Sequence, residues 1–518
     1  MTTDLLLIAV PPRWITYPPM ALPLLKSILH RAGHTVALSD ANIEYYKHSG
    51  ARDNSDYIRK TIAMQDSESR TWEDMDGSEF GKWIRKYVDQ QLTKHKPRVV
   101  GLSVFTRVST LCAYYMARVV REQAPKGTKI LVGGLGASVP LQFTEALGAL
   151  PRDSLAQTLL DEKVIDTAIL GDGEEALLEF MNTLENEDPL KINRINGYDN
   201  MPYPDYSDLD LKAYTPTNNL TLPVTGSKGC VRRCTFCDIP VKFGRYQQRS
   251  GKDIAEECIH LYETYGAKTM YLTDSLTNGS MKSFLEFTTT LAELKAKKNY
   301  TDLEWTGQYI TRPAHQIPHA KDYYPLMAAS GARGITVGAE SGSDRVLEHM
   351  DKKMKISDLF VELEYFRKYG ITMAVNLLPS YPTETREDFE LTIKMLSDFQ
   401  PYAADGTLEK IAGTARWYSH DTLNRWNHIS VSGEGWHVKR EDSNMWWYRP
   451  NPELTLQERV FRRLAISKCI SELKIPTAQD EAYEARVITR WYETAKDNYD
   501  KWLSGLQEYK DYKSNAQS

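Results

Sequence analysis

A chain of 518 residues, 41 % hydrophobic and 26 % charged, has the composition of a soluble globular protein too long for one core, with about three domains as the natural expectation. A net charge of -5 gives no electrostatic footprint for nucleic acid, and no apolar run approaches the roughly 18–20 residues of a membrane span. Met1-Thr-Thr-Asp4 lacks the basic-then-apolar order of a secretory signal, and six cysteines, three of them clustered, suit a reducing cytoplasm better than a disulfide framework.

In chain order, strands are expected at Leu5–Val10, Thr35–Leu38, Val99–Val104, Lys129–Val132 and Thr167–Leu170, with helices at Ala21–Ala32, Leu111–Gln123 and Glu174–Leu184. Residues 43–96 read as an insertion, helical over Glu79–Leu92. This alternation predicts a doubly wound parallel α/β sheet over residues 1–186, Rossmann-like, with ligands beyond the carboxyl ends of its strands. Ser103, Gly133, Gly134 and Gly171 stand at those ends.

Residues 187–218, broken by Pro202, Pro204 and Asp205, read as a linker. A second series follows over 219–404. Its strands are expected at Leu220–Val224, Thr269–Leu272, Glu304–Gln308, Gly334–Val337 and Thr372–Leu378, separated by helices at Asp253–Tyr265, Ser280–Lys297, Tyr323–Ala329, Ser343–Met350, Ile356–Tyr369 and Arg386–Phe399. That order predicts a partial parallel barrel with its active site at the carboxyl ends of the strands. Residues 405–518 read as a mainly helical cap or substrate region, with patterns at Leu454–Ile470 and Glu481–Trp502 and with Trp417, Trp426, Trp436, Trp446, Trp447, Trp491 and Trp502 mostly as packing or lid residues.

The most informative feature follows the first barrel strand. Gly229-Cys-Val-Arg-Arg-Cys-Thr-Phe-Cys-Asp238 sets Cys230, Cys234 and Cys237 in Cys-x3-Cys-x2-Cys spacing. Three thiolates hold only three irons of a cubane [4Fe–4S] cluster, whose usual protein set is four, and leave the fourth iron open to a small molecule. A zinc knuckle is the alternative, but zinc usually takes a fourth protein ligand, and Cys112, Cys258 and Cys469 are scattered singly. Those three read as small buried hydrophobes.

The cysteine spacing, with Phe236 before the third cysteine, resembles the signature of the radical S-adenosylmethionine (SAM) superfamily. Tyr246-Gln-Gln-Arg249-Ser250, Leu272-Thr273-Asp274-Ser275, Val337-Gly-Ala-Glu340-Ser-Gly-Ser343, Leu347-Glu-His-Met-Asp-Lys352-Lys353 and Leu377-Leu-Pro-Ser380-Tyr-Pro-Thr-Glu384-Thr385 resemble barrel segments of the members that also carry a cobalamin domain. Ser380 stands where those members usually have glycine. Pro11-Pro12, Gly33-His34, Val132-Gly133-Gly134 and Leu170-Gly171-Asp-Gly-Glu174 are similar to that cobalamin-binding domain, so the resemblance spans residues 1 to about 400. The Asp-x-His-x2-Gly pattern of the better-known corrinoid domains is absent. Neither His34, which reads as a polar turn residue, nor His48 has its context.

The resemblance implies a cluster on Cys230, Cys234 and Cys237 with SAM on the open iron. It implies cleavage of SAM to a 5'-deoxyadenosyl radical, an external electron donor such as flavodoxin or ferredoxin, and cobalamin held without a histidine ligand. It also implies SAM contacts from Phe236 and Glu340, a SAM or substrate contact or a helix N-cap for Asp274, a carboxylate of SAM or of the protein as partner of Arg249, and cobalamin contacts from Ser103, Gly133, Gly134 and Gly171. The expected activity is cobalamin-dependent methylation of an unactivated carbon. A radical rearrangement or ring closure is the alternative, and a non-catalytic corrinoid or cluster carrier stands further off. A methylthiotransferase is less attractive, because the N-terminal domain lacks three cysteines for a second cluster. The substrate and the oligomeric state have no signature in the sequence.

Overall fold

The computed structural model describes residues 2–63, 72–106, 109–138, 154–184, 190–193, 201–214, 219–237, 239–243, 245–313, 320–381, 383–412, 437–441, 444–448, 454, 456–477, 499 and 501–506. They divide into two compact units, Met1–Val224 with His260–Thr269, and Thr225–Ile259 with Met270–Ser518. Among the described residues no helix is long and apolar enough to cross a membrane.

The first unit is built on β1 (Leu5–Ala9), β2 (Val36–Asp40), β3 (Val99–Ser103), β4 (Lys129–Gly133), β5 (Thr167–Gly171) and β6 (Leu190–Asn193), in the order β2-β1-β3-β4-β5-β6. Every neighbouring pair is parallel. Helices cover both faces, so the strands are continuous apolar runs. Leu6, Ile8, Val100 and Leu102 enter one buried cluster, and Leu5, Leu7, Val99 and Leu131 enter the other. The chain leaves β1 for β2 on one side and returns to β3 on the other, which sets the switch point of the sheet at the carboxyl ends of β1 and β3.

Two expectations need correction here. Residues 43–96 are the crossover from β2 to β3, not an appendage. After α1 (Ala21–Arg31) come α2 (Ala41–Ser49), α3 (Asn54–Ala63), α4 (Trp72–Gly77) and α5 (Glu79–His95), which bury Ile43, Tyr45, Tyr57, Phe80, Ile84 and Val88 in the core. Nor do residues 201–214 hang as a linker. Lys26 pairs with Asp205 at 3.1 Å and Asp208 at 3.0 Å, and Tyr214 donates to buried Asp40 at 2.7 Å. The unit is completed by α6 (Thr110–Gln123), α7 (Leu155–Asp161) and α8 (Glu174–Thr183).

The second sheet comprises β7 (Thr221–Val224), β10 (Thr269–Leu272), β11 (Glu304–Tyr309), β12 (Ala332–Glu340), β13 (Thr372–Leu377) and β14 (Leu408–Ala412), in the order β14-β13-β12-β11-β10-β7. The pairs from β11 to β14 are parallel. Its last strand lies past residue 404, where the barrel was expected to end. Between strands run α10 (Gly251–Tyr265), α11 (Met281–Lys298), α12 (Ala320–Ser330), α13 (Asp344–His349), α14 (Ile356–Tyr369) and α15 (Arg386–Ala404), and the short β8 (Ser227–Lys228), α9 (Ile239–Phe243) and β9 (Gln247–Gln248) follow β7. Alternate strand residues face the helices: Trp305 meets Phe284 and Phe287 edge-on, and Tyr309 meets Phe366.

In the C-terminal region, α16 (Leu456–Glu472) lies where a helix was expected, and His437–Glu441 and Asn444–Tyr448 form an antiparallel pair, β15 and β16, within a region expected to be mainly helical. Trp417, Trp426, Trp436, Trp491 and most of the pattern at 481–502 lie outside the described residues.

Candidate active site

The cysteine loop leaves the carboxyl end of β7 and is fastened at its base. Asp274, just beyond β10, accepts from the backbone N–H groups of Gly226 (2.7 Å) and Ser227 (2.9 Å) through one carboxylate oxygen. Burial pushes its pKa up to about 6 against the lowering by those two hydrogen bonds. A Cβ on Gly226 would stand 2.9 Å from the terminal methyl of Ile254 and 3.0 Å from Asp274 Oδ2, so the glycine gives the Asp274 carboxylate room against the chain. β8 and β9 then pair antiparallel, Ser227 with Gln248 and Lys228 with Gln247, and close the neck of the loop. Arg249 completes the neck: it donates to the Thr225 carbonyl at 2.9 Å, to Asp253 at 2.8 Å, and to buried Glu257. Of the two partners expected for its guanidinium, a carboxylate of SAM or of the protein itself, these are protein carboxylates, and through them Arg249 braces the loop.

Within the loop, Gly229 turns at φ +80, the Cys237 N–H donates to the Cys234 carbonyl at 2.9 Å, and the Arg232 N–H points at the Cys230 sulfur at 3.4 Å. Thr235 holds the loop to the far side of the site. Its N–H donates to Met350 O at 3.0 Å, and its hydroxyl lies 2.7 Å from the Tyr381 hydroxyl. The three thiols interact electrostatically, and burial raises all three, Cys234 and Cys237 to about 11. Lys352 opposes that rise at each thiol; Arg232 acts on Cys230 and Cys234, and Arg312 on Cys230. Among the described residues, no three His, Cys, Asp or Glu side chains form a ligand group for a single metal ion. Three cysteines that each hold a different iron stand farther apart than three ligands of one ion.

Glu340 ends β12 with φ +63 and pairs with Lys352 at 3.1 Å, both largely buried. The same ammonium lies 5.8 Å from the Phe236 ring centroid. Phe236, Glu340, Lys352 and the thiols are thereby brought into one neighbourhood from three separate segments. The turn after β13 abuts it, with the Leu378 N–H donating to Glu340 O at 2.8 Å. Ser380 adopts φ +64, so the position expected to favour glycine keeps its left-handed conformation without one.

At the carboxyl edge of the first sheet, Gly133 and Gly134 cross the segment after β3. Val104 N–H donates to Gly133 O and Gly136 N–H to Val104 O, each at 2.8 Å, and a Cβ on Gly134 (φ +97) would stand 2.5 Å from Val104 O. Gly171 (φ +84) ends β5 and half-buried Ser103 ends β3. Trp14, Phe105 and Leu135, on the segments that follow β1, β3 and β4, are 53 %, 60 % and 40 % exposed. His34 is engaged elsewhere, 2.9 Å from Asn182, and His48 stacks on Trp83.

Residues 224–396 match the family model described as the radical SAM superfamily. The chain carries a radical SAM domain. Such a domain is that of an enzyme using a [4Fe–4S] cluster and SAM. Over 367 residues, 67 % of this chain and 72 % of the relative, the chain is 23 % identical to an uncharacterized methyltransferase of Pyrococcus horikoshii. It is 22 % identical to the hopanoid C-3 methylase of Methylococcus capsulatus over 77 % of this chain and 68 % of that one. The fold is similar to that of the radical SAM methyltransferase TsrM of Kitasatospora setae, solved with cobalamin and a [4Fe–4S] cluster, at a TM-score of 0.56 and 16 % identity, covering 86 % of this chain and 82 % of TsrM.

The face of the second sheet opposite Trp305 and Tyr309 holds residues that sequence reasoning did not single out. Opposite in facing to Trp305 and Tyr309, Thr306 and Gln308 of β11 lie in register with Gly334 and Thr336 of β12, and Asn376 of β13 with Gly338. Thr306, Gln308, Thr336 and Asn376 are each partly exposed. A packed barrel fills this face with branched apolar side chains; here it offers hydrogen-bonding groups. The signal was present as alternation, apolar outward and small or polar inward, but that pattern reads equally as one face in water.

Proposed function

We propose that this protein is a cobalamin-dependent radical SAM methyltransferase acting on an unactivated carbon, with Cys230, Cys234 and Cys237 as the cluster ligands. The observation that carries the reading is the convergence of those thiols with Phe236, Lys352 and Glu340 at the carboxyl ends of the second sheet. Bound there, the cluster supplies the electron that splits SAM to a 5'-deoxyadenosyl radical, and cobalamin supplies the methyl carrier. The protein's part is to hold and exclude. Lys352 offsets the negative charge of three thiolates in a half-buried loop. Glu340, fixed by Lys352, offers a carboxylate for the ribose hydroxyls or ammonium of SAM, and Phe236 an apolar face for its adenine. The fit to cobalamin rests on the exposed apolar side chains of Trp14, Phe105 and Leu135, on the segments that follow β1, β3 and β4, and on Gly133 and Gly134 at the carboxyl edge of the same sheet. Methyltransferase names among the relatives and the TsrM-like fold support the same reading.

The test uses protein made anaerobically with cobalamin supplied. Iron, sulfide and cobalt are counted per chain, and products are measured after SAM and reductant are added. S-adenosylhomocysteine formed beside 5'-deoxyadenosine supports methylation. Deoxyadenosine alone supports a rearrangement or ring closure, and neither product with an intact cluster ends the proposal.

A further inference from the structure

Arg462 of α16 and Glu384 of the turn before α15 form an ion pair at 2.9 Å in which both side chains have no exposed surface. Arg462 also donates to the carbonyls of Glu384 and Thr385, each at 3.2 Å, and to Glu458 at 3.0 Å. The guanidinium lies 5.3 Å from the Phe389 ring centroid. An arginine so enclosed is built in, since taking two charges out of water is repaid only by good geometry and further hydrogen bonds.

The carboxylate oxygen that meets Arg462 also accepts the Ser380 N–H at 2.8 Å. Ser380 is a non-glycine residue at φ +64, a conformation that persists only where its surroundings fix it. The Glu384 N–H donates to Tyr381 O at 2.7 Å, which closes the turn. From this turn two connections run to the candidate active site: Leu378 N–H to Glu340 O at 2.8 Å, and the Tyr381 hydroxyl to the Thr235 hydroxyl at 2.7 Å in the cysteine loop. One hydrogen-bonded path thus joins the C-terminal helix to both sides of the site.

We propose that Arg462 is a positioning residue for SAM binding: by neutralising Glu384 it fixes the 378–381 turn, and through that turn it sets Glu340 and the cysteine loop. This rests on the assignment of SAM to that site. Removing Arg462 leaves a buried carboxylate without its counter-charge and two carbonyls without a donor. Glu384 then takes a proton, which makes it a weaker acceptor for the Ser380 N–H, or turns away and leaves that N–H without one.

The experiment compares full-length, anaerobically reconstituted wild type with Arg462→Met, Arg462→Lys and the Glu384→Gln/Arg462→Met double variant. Iron per chain and the SAM-induced change in the reduced cluster's electron paramagnetic resonance spectrum are both measured. Arg462→Met is expected to bind SAM at least tenfold more weakly per cluster, and Arg462→Lys within threefold of wild type. The double variant, relieved of the lone charge, should regain thermal stability yet stay at least threefold weaker. Wild-type SAM affinity per cluster in Arg462→Met, or in the double variant where Arg462→Met holds no iron, overturns the proposal. So does a loss of SAM response that merely tracks lost iron. Wild type that assembles no cluster, or whose cluster ignores SAM, overturns the assignment of the site instead.

Discussion

A Cβ at position 338 would stand 2.1 Å from Glu340 Oε1 and 2.8 Å from Lys352 Nζ, so the Glu340–Lys352 pair occupies the space that Gly338 leaves empty. Gly338 is not needed for its backbone, since it is not among the glycines with positive φ. The obstruction lies at the ends of two flexible side chains, which an added methyl would push aside without disturbing the strand. Gly338→Ala should therefore fold with a stability change of about 1 kcal/mol or less. It should weaken SAM binding by about tenfold, or about 1.4 kcal/mol. Equilibrium dialysis with labelled SAM, alongside a thermal melt, checks both halves; wild-type affinity would remove Glu340 from the SAM site.

Asp274 supports a different prediction, because its role is in assembly. Asp274→Ala leaves the Gly226 and Ser227 N–H groups buried with no acceptor, at about 1–3 kcal/mol each. The neck of the cysteine loop should loosen, and iron per chain after reconstitution should fall well below that of wild type. Asp274→Asn keeps one carbonyl oxygen in place and should retain most of the iron. Equal iron in both variants would show that the neck does not control loading.

Much of this was legible in the sequence, for identifiable reasons. Buried parallel strands are apolar runs bounded by turns, and so β1, β3, β4, β10 and β13 stand out. The cysteine spacing is a local pattern. Arg249 meets Asp253 and Glu257, four and eight residues on, a spacing visible in the chain. What stayed hidden is non-local. The groups that Asp274 binds are 47 and 48 residues away, and Glu384 meets an arginine 78 residues on. β14, Leu-Glu-Lys-Ile-Ala, mixes charge into a strand, and its pairing with β13 supplies what its composition does not. The crossover over residues 41–95 was obscured because α2 carries no strong apolar face and begins at an Asp40 cap bonded to Asn42 N–H.

Glu362 on α14 lies in the helix layer, almost fully buried, and accepts from the Tyr309 hydroxyl at 2.8 Å and the Tyr324 hydroxyl at 3.3 Å. Burial pushes its pKa up to about 8 from an ordinary 4.5, despite the lowering by those hydroxyls. The folded protein therefore holds a proton between those values that the unfolded chain has released. The stabilisation from this group is fully present below about 4.5 and is lost as pH rises through 8. Glu362→Gln, always neutral, should lose that dependence and gain thermal stability relative to wild type as pH rises from 6 to 9. Parallel slopes of melting midpoint against pH would show that Glu362 titrates normally.

The exposed rim of the first unit gives a prediction that separates the two cofactors. Trp14 and Phe105 each leave more than half their surface in water, so replacing them with serine removes little packing and should shift stability by no more than about 0.5 kcal/mol. If their exposure serves a macrocycle, the same change removes apolar surface from its seat, at about 25 cal/mol for each Å² the ligand would have covered. Trp14→Ser/Phe105→Ser is expected to retain wild-type iron and SAM response while losing most of its cobalt after gel filtration. The two metals then report on separate sheets. Iron follows the cysteine loop and Asp274; cobalt follows the carboxyl edge of β1, β3 and β4. Cobalt kept at the wild-type level in this variant would mean that the rim is not the corrinoid seat, whatever the glycines beneath it permit.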